Sequence, residues 1–212
     1  MANIDALSMR KFSYGLFALF TNDGAKDNAC IINTAQQLTD NPKRITIAVN
    51  KSNYSCDTIK KTGIFNISVL TENCPFDIFT RFGFASGRDT DKLDGFDSVM
   101  TSENGLKYLS EYSNCFMSAK VIDSMDYGTH TLFVAEITEA KVLNDMPSVT
   151  YAYYFANIKP GANKPEVKSE QKKIVGWRCI ICGYEYKGEA LPSDFVCPLC
   201  KHPASDFEPI YE

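Results

Sequence analysis

Apolar residues recur along the first three quarters of the chain in short runs separated by polar turn signals. Runs rich in β-branched and aromatic side chains cover residues 12–20, 29–35, 44–49, 64–70, 115–122 and 129–143. Gly, Asn, Asp or Ser bounds each run, and such composition suits pleated strands. The run at 129–143 is long enough to bend or bulge within a barrel. Two short helices interrupt the strands, one capped by Ser55 and stopped at Gly63, the other over residues 75–82. Most strands follow one another without long helices between them. That order predicts an antiparallel barrel, not a parallel nucleotide-binding sheet. The chain holds no GxGxxG, no phosphate-binding P-loop and no internal repeat.

The pattern breaks after Asn157. Residues 158–173 read IKPGANKPEVKSEQKK, with two prolines, five lysines, two glutamates and almost nothing apolar. Such composition makes an extended tether. It divides the 212 residues into a first domain at 1–157, a linker at 158–173 and a small domain at 174–212. A basic tether thus joins two acidic bodies. The net charge of −4 argues against nucleic acid and anionic membrane as partners. Arg10 and Lys11 precede the apolar run at 12–20, as in a secretory signal, but a turn (TNDG) follows where a cleavage site would stand. The run is also too short to span a bilayer, so a buried strand in a cytoplasmic protein is the expected reading.

Eight cysteines are present. Cys30, Cys56, Cys74 and Cys115 lie singly and are expected to be free thiols. Cys179, Cys182, Cys197 and Cys200 form two CxxC pairs with fourteen residues between them. This spacing can wrap four thiolates around one tetrahedral metal, and geometry alone suits zinc and iron equally. Gly183 permits the positive φ that a tight turn after Cys182 needs, and Pro198 stiffens the second turn. Trp177, Tyr184, Tyr186, Phe195 and Phe207 supply a small aromatic core, which the metal completes.

Polar residues in the first domain cluster beside strand ends: Asn33 and Thr34, then Asn50, Lys51 and Ser52 leading into the helix at Ser55, and finally residues 81–92. A helix N-terminus attracts anions. Arg88 and Lys92 add a forked and a point-like positive charge. Such residues are ordinarily solvated turn residues, and a phosphate-bearing ligand stands beside that plainer reading as an alternative.

The tail segments CIICGYEY (179–186) and LPSDFVCPLC (191–200), with the trailing Phe207, resemble rubredoxin, although the loop between the pairs is shortened. That resemblance favours iron over zinc in the four-cysteine site. Residues 14–17 (YGLF), 33–39 (NTAQQLT), 50–55 (NKSNYS), 81–92 (RFGFASGRDTDK) and 127–137 (YGTHTLFVAEI) resemble the FMN-binding flavin reductase family, which includes flavoredoxin and ferric reductase. The implied fold is mainly β: a dimeric split β-barrel with short helices, followed by a small rubredoxin-like domain. By the same resemblance Asn33, Thr34, Asn50, Lys51, Ser52 and Ser55 fall where the family binds FMN. Ser86, Gly87, Arg88 and Lys92 fall at its phosphate and ribityl chain. Gly128, Thr129 and His130 fall near the flavin ring and the approach of nicotinamide.

His130 is thereby a catalytic candidate, with a hydrogen-bonded structural role equally open. His202 is expected at the surface, and Tyr14 and Phe82 in the core. Which of Gln36 and Gln37 faces the ligand, and whether Tyr54 reaches it, stay open. The implied activity is electron transfer from NAD(P)H through FMN to the iron and on to an acceptor, a flavodiiron oxygen or nitric oxide reductase. Two alternatives remain: an electron carrier reduced by another protein, and a zinc-ribbon binding module on a flavin-binding barrel.

Overall fold

The computed structural model describes Asp5, residues 8–160 and residues 174–211. Ser13–Ala162 form one compact unit, and the C-terminal segment belongs to another. Most of the expected linker, residues 161–173, lies outside the described residues.

The larger unit is built on a seven-stranded antiparallel sheet. Its strands are β1 (Phe17–Asn22), β2 (Asp27–Ile32), β3 (Gln36–Thr39), β4 (Arg44–Asn50), β5 (Ile64–Leu70), β8 (Ser113–Asp126) and β9 (His130–Val142), in the spatial order β2-β1-β5-β8-β9-β4-β3. A short hairpin of β6 (Val99–Thr101) and β7 (Lys107–Leu109) stands beside it. Helix α1 (Tyr54–Thr62) joins β4 to β5, and α2 (Phe76–Gly83) follows β5. Side chains from strands at both ends of the sheet, Cys30 and Ile32 of β2 and Ile47 and Val49 of β4, share one core with Phe65 and Phe133. The sheet therefore curls into a barrel that is split between β2 and β3. A second core on the outer face holds Phe20, Phe79, Phe82, Leu109 and Tyr154.

Period-2 geometry explains which strands read most clearly. Along RITIAVN of β4, buried and half-buried positions alternate, because one face fills the barrel and the other is partly covered. In β1, Leu19 faces the inner core while Ala18 and Phe20 face the outer one, which is why this strand is an unbroken apolar run. β8 and β9 are the longest strands. Their pairing shifts register between Ser118 and Ala119 and again between Val121 and Asp123, the bulges expected of a strand pair bending around a barrel.

Several boundaries differ from those expected. The run at 12–20 becomes strand only from Phe17. Ahead of it Ser8–Lys11 form a 3₁₀ turn, Phe12 is exposed, and Gly15 bridges Thr150 instead of extending β1. Helix α1 is capped by Asn53, not Ser55. Asn53 is extended and its side chain accepts a hydrogen bond from the Ser55 N–H, while Ser55 lies inside the helix with its side chain buried. The stop at Gly63 holds, with φ at 71°. The edge strand β3 and the β6–β7 hairpin carry no strong apolar run and escape the pattern, and the helical segment from Tyr151 through Ile158, although apolar (YAYYFANI), also lies outside the expected elements. Among the described residues no helix is long and apolar enough to cross a membrane.

In the smaller unit β10 (Ile174–Cys179) is flanked by β11 (Glu185–Lys187) and β12 (Phe207–Tyr211) in an antiparallel sheet. Phe195 packs edge-on against Tyr186 and Phe207 with ring centroids 4.8 and 5.4 Å apart, forming the aromatic core expected there.

Candidate functional site: a four-thiol centre and a polar cleft

Two turns in the smaller unit aim four sulfurs at one point. After Cys179 the chain turns so that the Gly183 N–H donates to the Cys179 carbonyl at 2.8 Å, and after Cys197 the Lys201 N–H donates to the Cys197 carbonyl at 2.9 Å. Both Gly183 (φ 80°) and Lys201 (φ 61°) occupy the left-handed region, glycine at no steric cost and lysine at some. The Sγ atoms of Cys179, Cys182, Cys197 and Cys200 lie within 4.8 Å of one another, with Cys182–Cys197 at 3.4 Å and Cys179–Cys200 at 3.6 Å. Sulfurs about 2.3 Å from a common tetrahedral metal stand about 3.8 Å apart, so the set fits a single ion with little adjustment.

Hydrogen bonds from Cys182 and Cys200 hold the Cys179 thiol down to about 2. Cys182, donating to Cys179, is pushed up to about 12, and Cys200 is pushed up for the same reason. The cluster thus holds one thiolate, at Cys179, and keeps protons on Cys182 and Cys200 that a metal would displace on binding. No other His/Cys/Asp/Glu group of this kind occurs among the described residues. His202, half-buried, sets its Nδ1 3.2 Å from the Cys200 carbonyl oxygen, and its own carbonyl accepts from the Cys197 N–H; it buttresses the second turn and is less exposed than expected. Cys30, Cys56, Cys74 and Cys115 form no disulfide. Burial pushes the Cys30, Cys74 and Cys115 thiols up, Cys74 to about 12, which disfavours their reactive thiolate forms.

In the larger unit the end of β4, the start of β9 and the N-terminus of α1 meet. Asn50 pairs with His130 across β4 and β9, and the Lys51 N–H donates to the Thr129 carbonyl at 2.9 Å. Asn50 Oδ1 accepts from both the backbone and the hydroxyl of Ser52 at 2.9 Å. Lys51 Nζ holds Asp126 Oδ2 at 2.6 Å, which lowers the Asp126 carboxyl below its ordinary range. His130 is half-buried with Nδ1 2.9 Å from the Thr129 hydroxyl. Thr34 is tied to the same strand: its hydroxyl donates to the Ala48 carbonyl at 2.7 Å, and Asn33 sits half-buried beside it.

The 86–88 loop closes on α1. Arg88 pairs with Asp57 and lies over the Tyr54 ring, 5.4 Å from its centroid. Lys26 Nζ donates to the Gly87 carbonyl at 2.7 Å. A Cβ on Gly87 would stand 1.9 Å from Asn28 Oδ1, so only glycine fits there. Asn28 itself is 1% exposed, and its amide nitrogen donates to Ser55 Oγ at 2.8 Å while Oδ1 has no hydrogen-bond partner among the described residues. A glycine that no larger residue could replace, a helix N-terminus and an arginine therefore converge, the donors and positive charge that a phosphate-bearing ligand requires, whereas Asn28 Oδ1 is an acceptor and offers a phosphate nothing.

Two expected contacts point elsewhere. Lys92 is buried, and its ammonium donates to the Ala29 and Phe82 carbonyls at 2.9 Å each. Burial drives its pKa down, and its charge serves to hold the 81–92 segment against β2, not a ligand at the surface. The Ser55 hydroxyl likewise turns inward, donating to Cys30 Sγ at 3.2 Å. Phe82 is buried against Phe20 and Phe96, and Tyr14 meets Tyr151 edge-on, both as expected of packing residues. Gln36 and Gln37 are both exposed on the edge strand. Asp23, Lys26, Asn28 and Asp57 escape a reading of the sequence because polar residues in turns and helix first turns are common. Asn28 shares the strand face of Cys30 and Ile32, but DNACII carries no apolar–polar alternation that would mark it as facing inward.

The comparisons with known proteins agree with this geometry. Residues 9–162 match the family model described as flavin reductase like domain, and residues 177–208 match that described as rubrerythrin, rubredoxin-like domain. A high molecular weight rubredoxin from Moorella thermoacetica is 31% identical, over 98% of this chain and the whole of its own length. A ferric-chelate reductase (NAD(P)H) from Archaeoglobus fulgidus is 35% identical over 71% of this chain and 89% of its own. Among solved structures, the FMN-binding protein from Thermus thermophilus superposes with a TM-score of 0.60 at 16% identity, over 68% of this chain and 78% of its own.

Proposed function

The chain belongs to the flavin reductase-like family and carries a rubredoxin-like domain, and from that footing we propose that it is an NAD(P)H-dependent flavoprotein oxidoreductase. Electrons pass from NAD(P)H through FMN to an iron held by Cys179, Cys182, Cys197 and Cys200, and on to a flavodiiron oxygen or nitric oxide reductase. The observation that carries this reading is the four-sulfur cluster on the same chain as a flavin reductase barrel. An iron centre exchanges one electron at a time and NAD(P)H delivers two, and bound FMN supplies the chemistry that reconciles them.

The protein's own groups bind and orient. Arg88, Ser86 and Gly87 receive the phosphate. Thr34, Asn50, Lys51 and Ser52 line the ribityl chain and ring edge, with Ser55 and Lys92 supporting them from beneath. His130, steadied by Thr129, stands at the ring end where nicotinamide approaches and is the catalytic candidate. The relative named as a ferric-chelate reductase (NAD(P)H) supports the choice of donor, and the one named as a high molecular weight rubredoxin supports iron over zinc. The working form is a homodimer, placed in the cytoplasm, where the free thiols stay reduced.

An anaerobic visible spectrum before and after addition of NADH tests the proposal. Flavin and ferric-tetrathiolate bands that bleach together within seconds are expected. Bands that persist make the chain a carrier reduced by another protein, and a colourless chain whose cysteines hold zinc removes the redox role.

A further inference from the structure

Asp57 lies three residues after Tyr54 in the first turn of α1, so both side chains project from one face of the helix. Arg88 reaches that face from the 86–88 loop, with its guanidinium over the Tyr54 ring and its Nη2 on Asp57 Oδ2. The loop backbone has little freedom: Lys26 holds the Gly87 carbonyl, Ser86 Oγ accepts the Arg88 N–H at 3.1 Å, and Gly87 abuts Asn28. What can move is the Arg88 side chain. Its side chain and that of Asp57 are 45% and 52% exposed, and pairs this open to solvent are weak.

Guanidinium forks fit a carboxylate and a phosphate with the same bidentate geometry. Asp57 occupies Nη2, so a phosphate received on that edge of the guanidinium must displace it. We propose that Asp57 competes with the flavin 5′-phosphate for Arg88 and thereby sets how strongly the site distinguishes FMN from unphosphorylated flavin. The inference rests on the FMN site described above. Without a phosphate the Asp57–Arg88 pair stays closed. When a phosphate arrives, Arg88 leaves Asp57, and the broken ion pair is the cost of taking up FMN. The Lys61 ammonium, one turn further along α1, is engaged with the Asp23 carbonyl, and that of Lys26 with Gly87. Asp57 therefore penalises phosphorylated flavin and leaves riboflavin untouched, which keeps FMN exchangeable instead of locked in place.

The test is a double-mutant cycle read by flavin fluorescence. The full-length chain, freed of flavin, and its Asp57→Asn, Arg88→Met and doubly substituted variants are titrated with FMN and with riboflavin. Asp57→Asn is expected to tighten FMN by about threefold to tenfold and to leave riboflavin unchanged, with the FMN gain shrinking below about twofold once Arg88 is absent. An equal gain with and without Arg88, an equal gain for riboflavin, or no gain at all overturns the competition. A parent chain that binds neither flavin overturns both this inference and the flavin site, whereas a parent that binds FMN with an unresponsive Asp57 overturns this one alone.

Discussion

Asp23 accepts the Tyr54 hydroxyl at 2.5 Å through Oδ2, and the Ala25 and Lys26 N–H groups at 2.9 Å through Oδ1. The Tyr54 hydrogen bond, with help from the two backbone donors, holds its carboxyl at about 2 against an ordinary 3.8. The sign follows from the direction: the folded-state pKa is depressed, so the stabilisation is fully present above 3.8 and is lost as pH falls through about 2. Asp23 thus links the β1–β2 turn to Tyr54, and Tyr54 underlies Arg88. Asp23→Asn keeps a side-chain acceptor but removes the charge. Urea unfolding at several pH values should show a shallower loss of stability between about pH 4 and pH 2 in the variant than in the parent. An unchanged slope would mean that ionisation of Asp23 contributes nothing to stability over this range.

Strand β9 shows the same logic at the scale of an element. It pairs with both β4 and β8, and Phe133, 1% exposed, projects from its middle into the inner core. Phe133→Ala removes that ring from the packed inner core, and should cost about 3–5 kcal/mol, seen as a lower urea midpoint with an unchanged slope. A loss under about 1 kcal/mol would indicate that the barrel relaxes around the void. Elements of this kind are legible because burial imposes a period on the chain: β4 and β5 emerge at or within one residue of the bounds their apolar runs mark. The four-cysteine centre is legible too, since its ligands come from two tight local turns. Other features are set by residues far apart in the sequence. Asn28 meets Gly87 across 59 positions, and no local pattern announces that contact. Lys92 shows a further partner the motif does not announce: a lysine read as a phosphate contact gives its ammonium to the backbone carbonyls of Ala29 and Phe82. Ser55 reads as a cap, yet Asn53, two residues earlier, is as good a capping residue and has the extended backbone a cap needs.

At the scale of the whole molecule, each unit has its own sheet and its own chemistry. The barrel cores are made within Ser13–Ala162, and the four sulfurs are held by turns of the C-terminal sheet alone. Such a division predicts that the two halves of the proposed electron path can be cut apart. Cys200→Ser replaces one thiolate with a poor ligand for iron and leaves every barrel residue in place. The variant should lose the ferric-tetrathiolate bands and its iron content, yet its flavin should bleach with NADH at the parent rate. Reduction of an added flavodiiron acceptor should fall at least tenfold, a loss of roughly 1.4 kcal/mol or more in transition-state stabilisation. The controls lie in the same measurements. If flavin bleaching slows as well, the units are coupled in folding or in catalysis. If acceptor turnover survives without iron, electrons leave directly from the barrel, and the four-cysteine unit serves stability or docking and not conduction. Only loss of acceptor turnover with intact flavin reduction fits a path in which the barrel collects electrons from NAD(P)H and the C-terminal unit delivers them.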